Sequence, residues 1–504
     1  MMTTLHTLLD ALSAYTLRQA PHGVDIPLAS LTCDSRKAPM GSVFFCVVGT
    51  SADGHIYAPS AYQNGCRVFF VQHGVDLPSD ATVVEIPDTR VAMAEAAAAF
   101  YGYPARQMRL IGLTGTKGKT TTALLIQSML EASGIPTGYI GTNGIIFHGV
   151  HFPTVNSTPE SLVIHHYLHQ MLDAGVHTVV MEISSQALWM ERVRGLDFDT
   201  VLFTNLSRDH IGTREHPTFE HYKACKHKLF TDHHSRTVVY NADDPAAPDM
   251  LDGCPGAPMG VTTAAAAGAR WAASYILPDR RGDRIGVSFA CDRAGETLST
   301  NAFLPLPGRF NVQNALAALA VVCDVCGVAP TVALDALTRA VVPGRFEAVT
   351  NPAVPGAVFV IDYAHNGVSL ASILDALRAY HPRRLICLFG SVGDRTYERR
   401  TDLAVAAGCR ADLCIITSDN PGKEDPQKII REIDAAFPEG SCPRKLITDR
   451  RAAVAYAVNT ARDGDIVLLA GKGHEDYQLV GITRVPYSDT EALEDAFATK
   501  RCRR

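Results

Sequence analysis

A glycine-rich loop between an apolar strand and a helix is the feature that most constrains how this chain of 504 residues can fold. The loop Gly112–Thr121 (GLTGTKGKTT) follows the apolar run Arg109–Leu113 and leads into a helical stretch over Thr120–Ser133. Glycines let backbone N–H groups turn toward one point, and the helix N-terminus adds positive potential there. The general pattern GxxxxGK[ST] has glycine where this chain has Leu113, but the flanking strand and helix still favour phosphate binding.

Several side chains near this loop have the chemistry that nucleotide binding needs. Lys119 can reach the β- and γ-phosphates, and the Thr120 hydroxyl can ligate Mg²⁺. Glu182 ends the apolar strand His177–Ile183, where a magnesium ligand and a plain hydrogen-bonded glutamate are about equally compatible with the spacing. His210 follows a further strand, and a structural role is the more common one for a lone histidine.

Apolar strands alternate with helical stretches along most of the chain. The strands are predicted at 109–113, 177–183, 200–205, 357–362, 384–390, 412–417 and 465–470. This alternation predicts an α/β protein with mostly parallel sheets covered on both faces. Proline and glycine near 104 and 343 divide it into a small α/β N-terminal domain (1–105), a central P-loop-type domain (106–343) and a Rossmann-like C-terminal domain (344–504).

Composition excludes some classes of protein. Lys and Arg number 46 against 52 Asp and Glu, a net charge of −6, whereas dedicated nucleic-acid binders are usually basic. No apolar run approaches the roughly 20 residues that span a bilayer, and the first residues lack a signal-peptide pattern. The 13 cysteines are scattered, which is typical of reduced thiols. We therefore expect a cytoplasmic protein that binds neither nucleic acid nor membrane.

Polar or glycine-bearing loops follow four apolar strands in the last third of the chain. They are Asp362–Asn366, Gly390–Arg395, Ser418–Gly422 and Gly471–Glu475. Ligands bind at the carboxyl ends of parallel strands, so four such loops favour one crevice for a charged ligand. Arg395 would bind a carboxylate through two hydrogen bonds, and Glu475 would bind an ammonium group. By contrast, the stretch His221–Lys228 predicts only a basic, solvent-facing helix, and its neighbours do not distinguish Lys226.

Taken together, these strings resemble the Mur ligase family, the ATP-dependent amino-acid ligases of peptidoglycan synthesis, and within it the tripeptide synthetases. The resemblance covers nearly the whole chain and rests on many ordered motifs. It implies that ATP is bound by Gly115, Thr116, Lys117, Gly118, Lys119, Thr120, Thr121, Asn311, Arg345, Asp362 and His365. Lys117 stands where asparagine is common in the family.

The resemblance also implies which residues contact the other two substrates. Those expected to bind the UDP-MurNAc substrate are Ser35, Thr50, Ser51, Ala52, Asn156, Ser157, Thr158, Ser184 and Arg192. Those expected to bind the incoming amino acid are Arg395, Asp419, Asn420, Pro421, Gly422, Gly471 and Glu475. Ser157 replaces a threonine of the family pattern, and Gln186 stands where histidine is frequent.

The implied catalytic residues are Lys119, Glu182, His210 and Lys226. Thr120, Glu182, His210 and Lys226 would hold Mg²⁺, with Lys226 as a carbamate formed from CO₂. The implied reaction phosphorylates the D-Glu γ-carboxylate of UDP-MurNAc-L-Ala-D-Glu with ATP, and an amine then attacks the acyl phosphate. Small molecules would be the only partners, and we expect a monomer.

The amino acid that is added is the less determined part of this expectation. Relatives that add meso-2,6-diaminopimelate carry Gly-Asp-Arg, Asp-Asn-Pro-Arg and Gly-Lys-Gly-His-Glu, and this chain keeps the first and the last. Gly422 replaces the arginine that would pair with the distal carboxylate, although Lys423 or Arg395 could supply that charge. Ile211–Pro217 and Asp362–Gly367 resemble some lysine-adding relatives. We favour diaminopimelate and leave L-lysine or another diamino acid open.

Two further alternatives concern the class of protein. A folylpolyglutamate synthetase of the same superfamily is disfavoured by the uridine-binding-like segment around Ser35. A catalytically silent binding protein with the same fold is disfavoured because Lys119, Glu182, His210 and Lys226 are all retained.

Overall fold

The computed structural model describes residues 3–49, 52–209, 211–212, 215–264, 268–281, 284–349, 351–393 and 397–502. They form two compact units. The first comprises Met1–Thr262, Ala266–Arg270 and Ala317–Val328, and the second comprises Thr263–Ala265, Trp271–Leu316 and Ala329–Arg504. Helices and parallel-rich sheets make up both units, so the predicted α/β class is confirmed. None of the described helices is long and apolar enough to cross a membrane.

The first unit begins with a small sheet. Its strands are Thr16–Gln19 (β1), Ser30–Thr32 (β2), Ser42–Phe45 (β3), Val68–Val71 (β4) and Thr82–Glu85 (β5), and its helices are Leu5–Ala11 (α1), Ala58–Gln63 (α2) and Thr89–Phe100 (α3). The strand order is β1-β5-β4-β3-β2, parallel except for β1. Strands β3 and β4 are buried along their whole length, as expected for parallel strands with both faces covered.

A larger sheet completes the first unit. Its strands are Arg109–Thr114 (β6), Thr137–Gly141 (β7), Gly144–Phe147 (β8), Val150–Phe152 (β9), Thr178–Glu182 (β10), Phe198–Phe203 (β11), Ser235–Asn241 (β12) and Ala257–Thr262 (β13). Its helices are Lys119–Ala132 (α4), Ser161–Asp173 (α5), Ser185–Trp189 (α6), Phe219–Thr231 (α7) and Ala247–Leu251 (α8). The order is β13-β12-β11-β6-β10-β7-β8-β9, with β6 paired in parallel to β10 and β11. The carboxyl ends of β6, β10 and β11 therefore lie side by side.

The second unit contains an antiparallel meander, a mostly parallel sheet and a hairpin. The strands are Trp271–Arg281 (β14), Arg284–Arg293 (β15), Glu296–Leu304 (β16), Glu347–Val349 (β17), Val358–Asp362 (β18), Leu385–Phe389 (β19), Leu413–Ile416 (β20), Arg444–Leu446 (β21), Ile466–Ala470 (β22), Tyr477–Val480 (β23) and Thr483–Pro486 (β24). The remaining helices are Arg309–Leu319 (α9), Pro330–Leu337 (α10), Gly367–Arg378 (α11), Tyr397–Gly408 (α12), Pro426–Ala435 (α13), Arg450–Thr460 (α14) and Asp489–Cys502 (α15). The parallel sheet has the order β17-β18-β22-β19-β20-β21, with only β17 antiparallel.

The predicted apolar strands are found with small shifts at their ends. They correspond to β6, β10, β11, β18, β19, β20 and β22. The meander β14–β16 and the hairpin β23–β24 were not predicted. Strands β14, β16, β23 and β24 are partly or largely exposed and lack a continuous apolar run, whereas β15 is mostly buried and was not recognised. The predicted domain boundaries at 105 and 343 stay predictions.

A fully buried ion pair joins three elements of the second unit. Arg450, at the start of α14, donates two hydrogen bonds to Asp489 of α15 at 2.9 and 2.7 Å, and both side chains are completely buried. Arg450 also donates to the carbonyl of Ala470 at the end of β22, and Tyr487 donates to Asp489 at 2.7 Å. The paired geometry satisfies charges that would otherwise be costly to remove from water.

We predict that Arg450→Met lowers the free energy of unfolding by about 3–5 kcal/mol, because the Asp489 charge is left buried without a partner. Urea denaturation followed by circular dichroism measures this change. The matched control is Arg451→Met, since Arg451 pairs with Asp495 at the surface, and an exposed pair contributes less than about 1 kcal/mol. Equal losses in the two variants would contradict the prediction.

Candidate active site

The phosphate loop is held against the end of strand β11. Gly115 has a φ of +148°, and a Cβ at this position would lie 1.9 Å from the hydroxyl of Thr204. Asn205 accepts a hydrogen bond from the backbone N–H of Lys117 and donates one to its carbonyl, both at 2.9 Å. Only glycine fits at 115, and the loop conformation is fixed by residues that follow a different strand.

Two lysines meet at this loop. Lys119, at the start of α4, donates to the carbonyl oxygen of Gly115 at 2.7 Å, and Lys226 of α7 donates to the same oxygen at 2.9 Å. Lys226 is buried, and its ammonium also lies 4.6 Å from the centre of the Tyr222 ring. Burial, together with the Lys119 charge, lowers the pKa of Lys226 well below its ordinary value.

The position of Lys226 corrects one prediction. The stretch 221–228 was expected to be a basic, solvent-facing helix, but Tyr222, Cys225 and Lys226 of α7 are buried. Tyr222 donates to the hydroxyl of Thr116 in the phosphate loop at 3.1 Å. The face of α7 that carries Lys226 therefore packs on the loop, and this tertiary contact could not be recognised from local sequence.

Glu182 ends strand β10 next to the phosphate loop. It is 1% exposed, and its carboxylate accepts from the Thr120 hydroxyl at 2.9 Å. The Tyr139 hydroxyl and the backbone N–H of Thr142 donate to the other oxygen at 2.5 and 2.9 Å. A hydroxyl and a carboxylate within hydrogen-bonding distance are hard oxygen donors of the kind that Mg²⁺ prefers. Thr120 and Glu182 therefore fit the predicted magnesium site.

Three residues expected to contact the UDP-MurNAc substrate are linked to this centre. Thr158 donates to the carbonyl of Glu182 at 2.8 Å and accepts from the backbone N–H of Ser184 at 3.0 Å. Arg192 donates to the carbonyl of Thr158 at 3.1 Å and forms an ion pair with Glu160 at 2.8 Å. The predicted substrate strings thus converge beside the magnesium candidates.

Other predicted contacts lie elsewhere or outside the described residues. Asn156 and Ser157 immediately precede Thr158 in the chain, whereas Ser35 and Ala52 belong to the part of the first unit that contains the small sheet. Ser35 accepts from the Asn64 side chain through its carbonyl at 2.9 Å. Thr50, Ser51, His210 and Arg395 lie outside the described residues.

In the second unit, predicted ATP contacts gather around the end of β18. Asp362 accepts from the backbone N–H groups of Phe346 and Ala364 at 2.9 and 2.7 Å, and burial raises its pKa. The guanidinium of Arg345 lies 4.9 Å from the Tyr363 ring. The His365 ring donates a hydrogen bond to the Tyr363 carbonyl, and burial lowers the pKa of His365 to about 4. Arg345, Asp362 and His365 are therefore brought together.

Asn311 stands at the first turn of α9. It is 3% exposed and donates to the carbonyl of Pro307 at 2.7 Å, while Asn314 donates to its side-chain oxygen at 3.2 Å. Its side chain is therefore fixed by neighbouring residues of its own segment.

The predicted amino-acid loops form a hydrogen-bonded network centred on Glu475. Lys472 and Asn420 donate to the same Glu475 oxygen at 2.7 and 2.9 Å, and Tyr363 donates to the other at 3.3 Å. Lys472 also donates to Asn420 at 2.8 Å and lies 3.5 Å from Asp419, whose pKa is raised by burial. A lysine of the same loop therefore already contacts the carboxylate that was predicted to bind an ammonium group.

Three glycines let these loops approach one another. A Cβ at Gly393 would lie 1.9 Å from the carbonyl of Pro421, and one at Gly471 would lie 2.8 Å from the Asp419 carboxylate. Gly422 has a φ of +57°, donates to Leu479 at 3.0 Å, and accepts from Gly481 at 2.7 Å. Gly422 is thereby attached through its backbone to the hairpin β23–β24.

Some residues of the site were missed at the level of sequence. Tyr139, Thr142 and Tyr222 support Glu182 or the phosphate loop, and Lys472 supports Glu475. Lys472 lies within the Gly-Lys-Gly-His-Glu string, so its charge could have indicated a partner for Glu475. The other three act through contacts between distant segments, for which no local signal exists.

Comparison with known proteins places these features in a family. Residues 27–101 match the Mur ligase family, catalytic domain, residues 113–322 match the Mur ligase middle domain, and residues 344–473 match the Mur ligase, glutamate ligase domain. The chain is 36% identical over 505 residues to a UDP-N-acetylmuramoyl-L-alanyl-D-glutamate–2,6-diaminopimelate ligase of Geobacillus thermodenitrificans, covering 99% of this chain and 100% of that one. It is 38% identical to the enzyme of the same name from Chlorobium phaeobacteroides, covering 94% and 93%.

Solved structures share the fold. A UDP-N-acetylmuramoyl-L-alanyl-D-glutamate–2,6-diaminopimelate ligase superposes with a TM-score of 0.68 at 26% identity, covering 99% of this chain and 100% of that one. A Mycobacterium tuberculosis folylpolyglutamate synthase complexed with ADP and AMPPCP gives a TM-score of 0.61 at 16% identity, covering 76% and 92%, and supports the fold alone. The phosphate loop, the buried Glu182 and these matches lead to one conclusion: the chain belongs to the Mur ligase family, whose members are ATP-dependent ligases that form amide bonds.

Proposed function

We propose that this ligase adds meso-2,6-diaminopimelate to the D-Glu γ-carboxylate of UDP-MurNAc-L-Ala-D-Glu in cytoplasmic peptidoglycan precursor synthesis. The observation that carries the proposal is the convergence of the phosphate loop, Glu182 and Lys226 beside Thr158, Ser184 and Arg192. The names of relatives that match nearly the full chain support the same substrate.

The reaction proceeds in two chemical steps. The substrate γ-carboxylate attacks the γ-phosphorus of ATP, which gives an acyl phosphate and releases ADP. The amine of the incoming amino acid then attacks the acyl carbon, loses a proton, and expels inorganic phosphate to form the amide. Catalysis of phosphoryl transfer consists mainly of positioning the groups and stabilising negative charge.

The described residues can supply that positioning. The N-terminus of α4 would face the phosphates, and Lys119 would neutralise charge as it develops. Thr120 and Glu182 would hold Mg²⁺, which would supply positive charge to offset that of the phosphates. Arg192 is already paired with Glu160, so it would orient the substrate without adding a free charge.

Lys226 is proposed to act as a carbamate. Carbamate formation needs a neutral amine, which attacks CO₂ and loses a proton to leave an N-bound carboxylate. Burial and the Lys119 charge favour the neutral amine, and the product anion would lie next to Lys119. The modification would thus replace repulsion between two cations with attraction and create an oxygen ligand for Mg²⁺.

We further propose three domains with separate tasks: 1–105 for the uridine nucleotide, 106–343 for ATP and catalysis, and 344–504 for the amino acid. The network around Glu475 would bind the amino group and the α-carboxylate of the incoming amino acid. Asp419, Asn420, Pro421 and Gly471 are grouped there in the structure. Gly422 favours the alternative of L-lysine or another diamino acid, because the chain lacks an arginine at this position.

The mass of the reaction product shows which amino acid is added. With UDP-MurNAc-L-Ala-D-Glu, ATP and Mg²⁺, we expect phosphate release and a UDP-tripeptide whose mass contains diaminopimelate. The assay uses separate reactions with meso-diaminopimelate, L-lysine and other diamino acids, and mass spectrometry of each product. A product with L-lysine alone would replace the amino-acid assignment, and no ATP-dependent phosphate release with any of them would exclude the ligase function.

Removal of the Lys226 side chain tests the role proposed for its carbamate. Lys226→Ala should lower kcat by at least about 100-fold, since one charge-stabilising group of the centre is lost. Short carboxylic acids such as acetate should partly restore it by occupying the space of the carbamate. The control is Lys228→Ala on the same helix, whose partly exposed ammonium pairs with Glu191 at 3.2 Å, and which should stay within about twofold of wild type.

A direct measurement accompanies the Lys226 variants. Protein equilibrated with ¹³C-bicarbonate should give a carbamate resonance in the ¹³C NMR spectrum that Lys226→Ala lacks. Absence of the resonance from the wild-type protein, together with full activity of the unrescued variant, would contradict the carbamate.

An arginine introduced at Gly422 tests how the distal carboxylate of diaminopimelate is bound. Relative to Gly422→Ala, Gly422→Arg should lower KM for diaminopimelate about tenfold, because a guanidinium–carboxylate hydrogen bond contributes about 1.5–3 kcal/mol. Both variants place a side chain at a φ of +57°, which costs about 1–2 kcal/mol, so thermal unfolding should show equal destabilisation. Equal KM values would mean that another residue binds the distal carboxylate.

A further inference from the structure

Three potential metal ligands cluster beside the α7 helix of the first unit. One ligand atom from each of His216, His221 and Cys225 lies within 4.8 Å of the others. His216 and Cys225 are buried, and His221 is partly exposed. None of the three belongs to the predicted magnesium set, and the proposed ligase reaction uses none of them.

The spacing of the cluster follows from the helix. His221 and Cys225 are four residues apart on α7 and therefore share one face of the helix. His216 precedes the helix and is held by a backbone hydrogen bond from Gly212 to its carbonyl at 3.0 Å. The helix thus supplies two ligands in fixed positions, and the preceding segment supplies the third.

The distances suit a tetrahedral ion. With Zn–N bonds of about 2.0–2.1 Å and Zn–S bonds of about 2.3 Å, tetrahedral ligands lie about 3.3 Å apart for N–N and about 3.6 Å for N–S. The Nδ1 atoms of His216 and His221 are 2.9 Å apart, and Cys225 Sγ lies 3.8 Å from His221 Nδ1. These two distances differ from the tetrahedral values by about 0.4 and about 0.2 Å, and the ligand atoms of His216 and Cys225 lie within 4.8 Å of each other.

The second nitrogen of His216 has a partner that would orient the ring. His216 Nε2 lies 2.8 Å from the hydroxyl of Ser185 at the start of α6. When this nitrogen carries the proton and donates to Ser185, the Nδ1 lone pair faces His221 and Cys225. A hydrogen bond on the nitrogen remote from the metal is the usual means of fixing a histidine ligand.

We propose that His216, His221 and Cys225 form a site for one borderline-soft divalent transition-metal ion, with Zn²⁺ as the representative. Two imidazoles and a thiolate are ligands that select such ions over Mg²⁺. The ion would take the lone pair of each histidine Nδ1 and displace one proton from Cys225, and a water molecule would complete the coordination.

A bound ion would stabilise the region that carries Lys226. It would connect the segment around His216 to α7, where Lys226 follows Cys225 directly. Tyr222, the neighbour of His221, donates to Thr116 in the phosphate loop. Since an ion that binds only the folded state stabilises it, Zn²⁺ should also raise the temperature of thermal unfolding.

The test uses Co²⁺ as a spectroscopic probe of the full-length protein, after treatment with a chelator and in excess Mg²⁺ to saturate oxygen-donor sites. We expect one equivalent of Co²⁺ to produce a thiolate-to-cobalt charge-transfer band, which Zn²⁺ then abolishes. Cys225→Ala should remove the band, and His221→Ala should weaken Co²⁺ binding at least about tenfold. Circular dichroism confirms that each variant is folded.

Matched controls separate this site from other donors. Cys254→Ala removes a different partly buried thiol, and His227→Ala removes a histidine of the same helix that lies beside the Asp252 carbonyl. His73→Ala disrupts the other cluster of potential ligands, Asp53, His55 and His73. All three should keep the band and the affinity. The proposal is overturned by a wild-type protein without the band, by a band that persists in Cys225→Ala, or by undiminished affinity in His221→Ala.

Discussion

The carbonyl oxygen of Gly115 accepts hydrogen bonds from two lysine ammonium groups, and the charge balance of the candidate active site depends on this arrangement. Lys119 and Lys226 lie 2.7 and 2.9 Å from that oxygen, so two like charges are held close together where water is largely excluded. Burial lowers the pKa of Lys226 well below its ordinary value, and repulsion from the Lys119 ammonium lowers it further. An anion such as a phosphate group, bound beside the two lysines, would therefore reduce this repulsion.

The sheet order explains how the two lysines come to share one oxygen. Strand β6 lies between β10 and β11, so its loop meets Glu182 on one side and Thr204 with Asn205 on the other. Asn205 binds both backbone groups of Lys117, which helps to hold the loop against the end of β11. A substitution at Gly115 would clash with Thr204 and displace both lysines together. The parallel topology thus sets the electrostatics of the centre as well as its shape.

The amino-acid sequence predicts the role of a residue when that residue acts within its own segment of the chain, and fails when the residue acts through contacts with a distant segment. The phosphate loop, the strands β6 and β10, and Glu182 were predicted because a glycine pattern and apolar runs are local signals. Lys226 was not distinguished by local pattern, since its burial results from packing of α7 on a loop more than 100 residues away in the chain. The resemblance to a family indicated it instead. Tyr139 and Thr142, which donate to Glu182, had neither kind of signal.

A second charged network lies around Glu475, in the loops that were predicted to bind the amino acid, and here the departure from the family pattern has a structural counterpart. Lys472 and Asn420 donate to the Glu475 carboxylate, and Lys472 also donates to Asn420, so these three side chains hold one another in place. Gly422, by contrast, adopts a left-handed conformation and is bound through both backbone groups to the hairpin β23–β24. A larger residue at 422 would be strained in this conformation. A left-handed glycine bound to the hairpin therefore occupies the position where the family pattern has arginine, and the loop presents backbone rather than a guanidinium there.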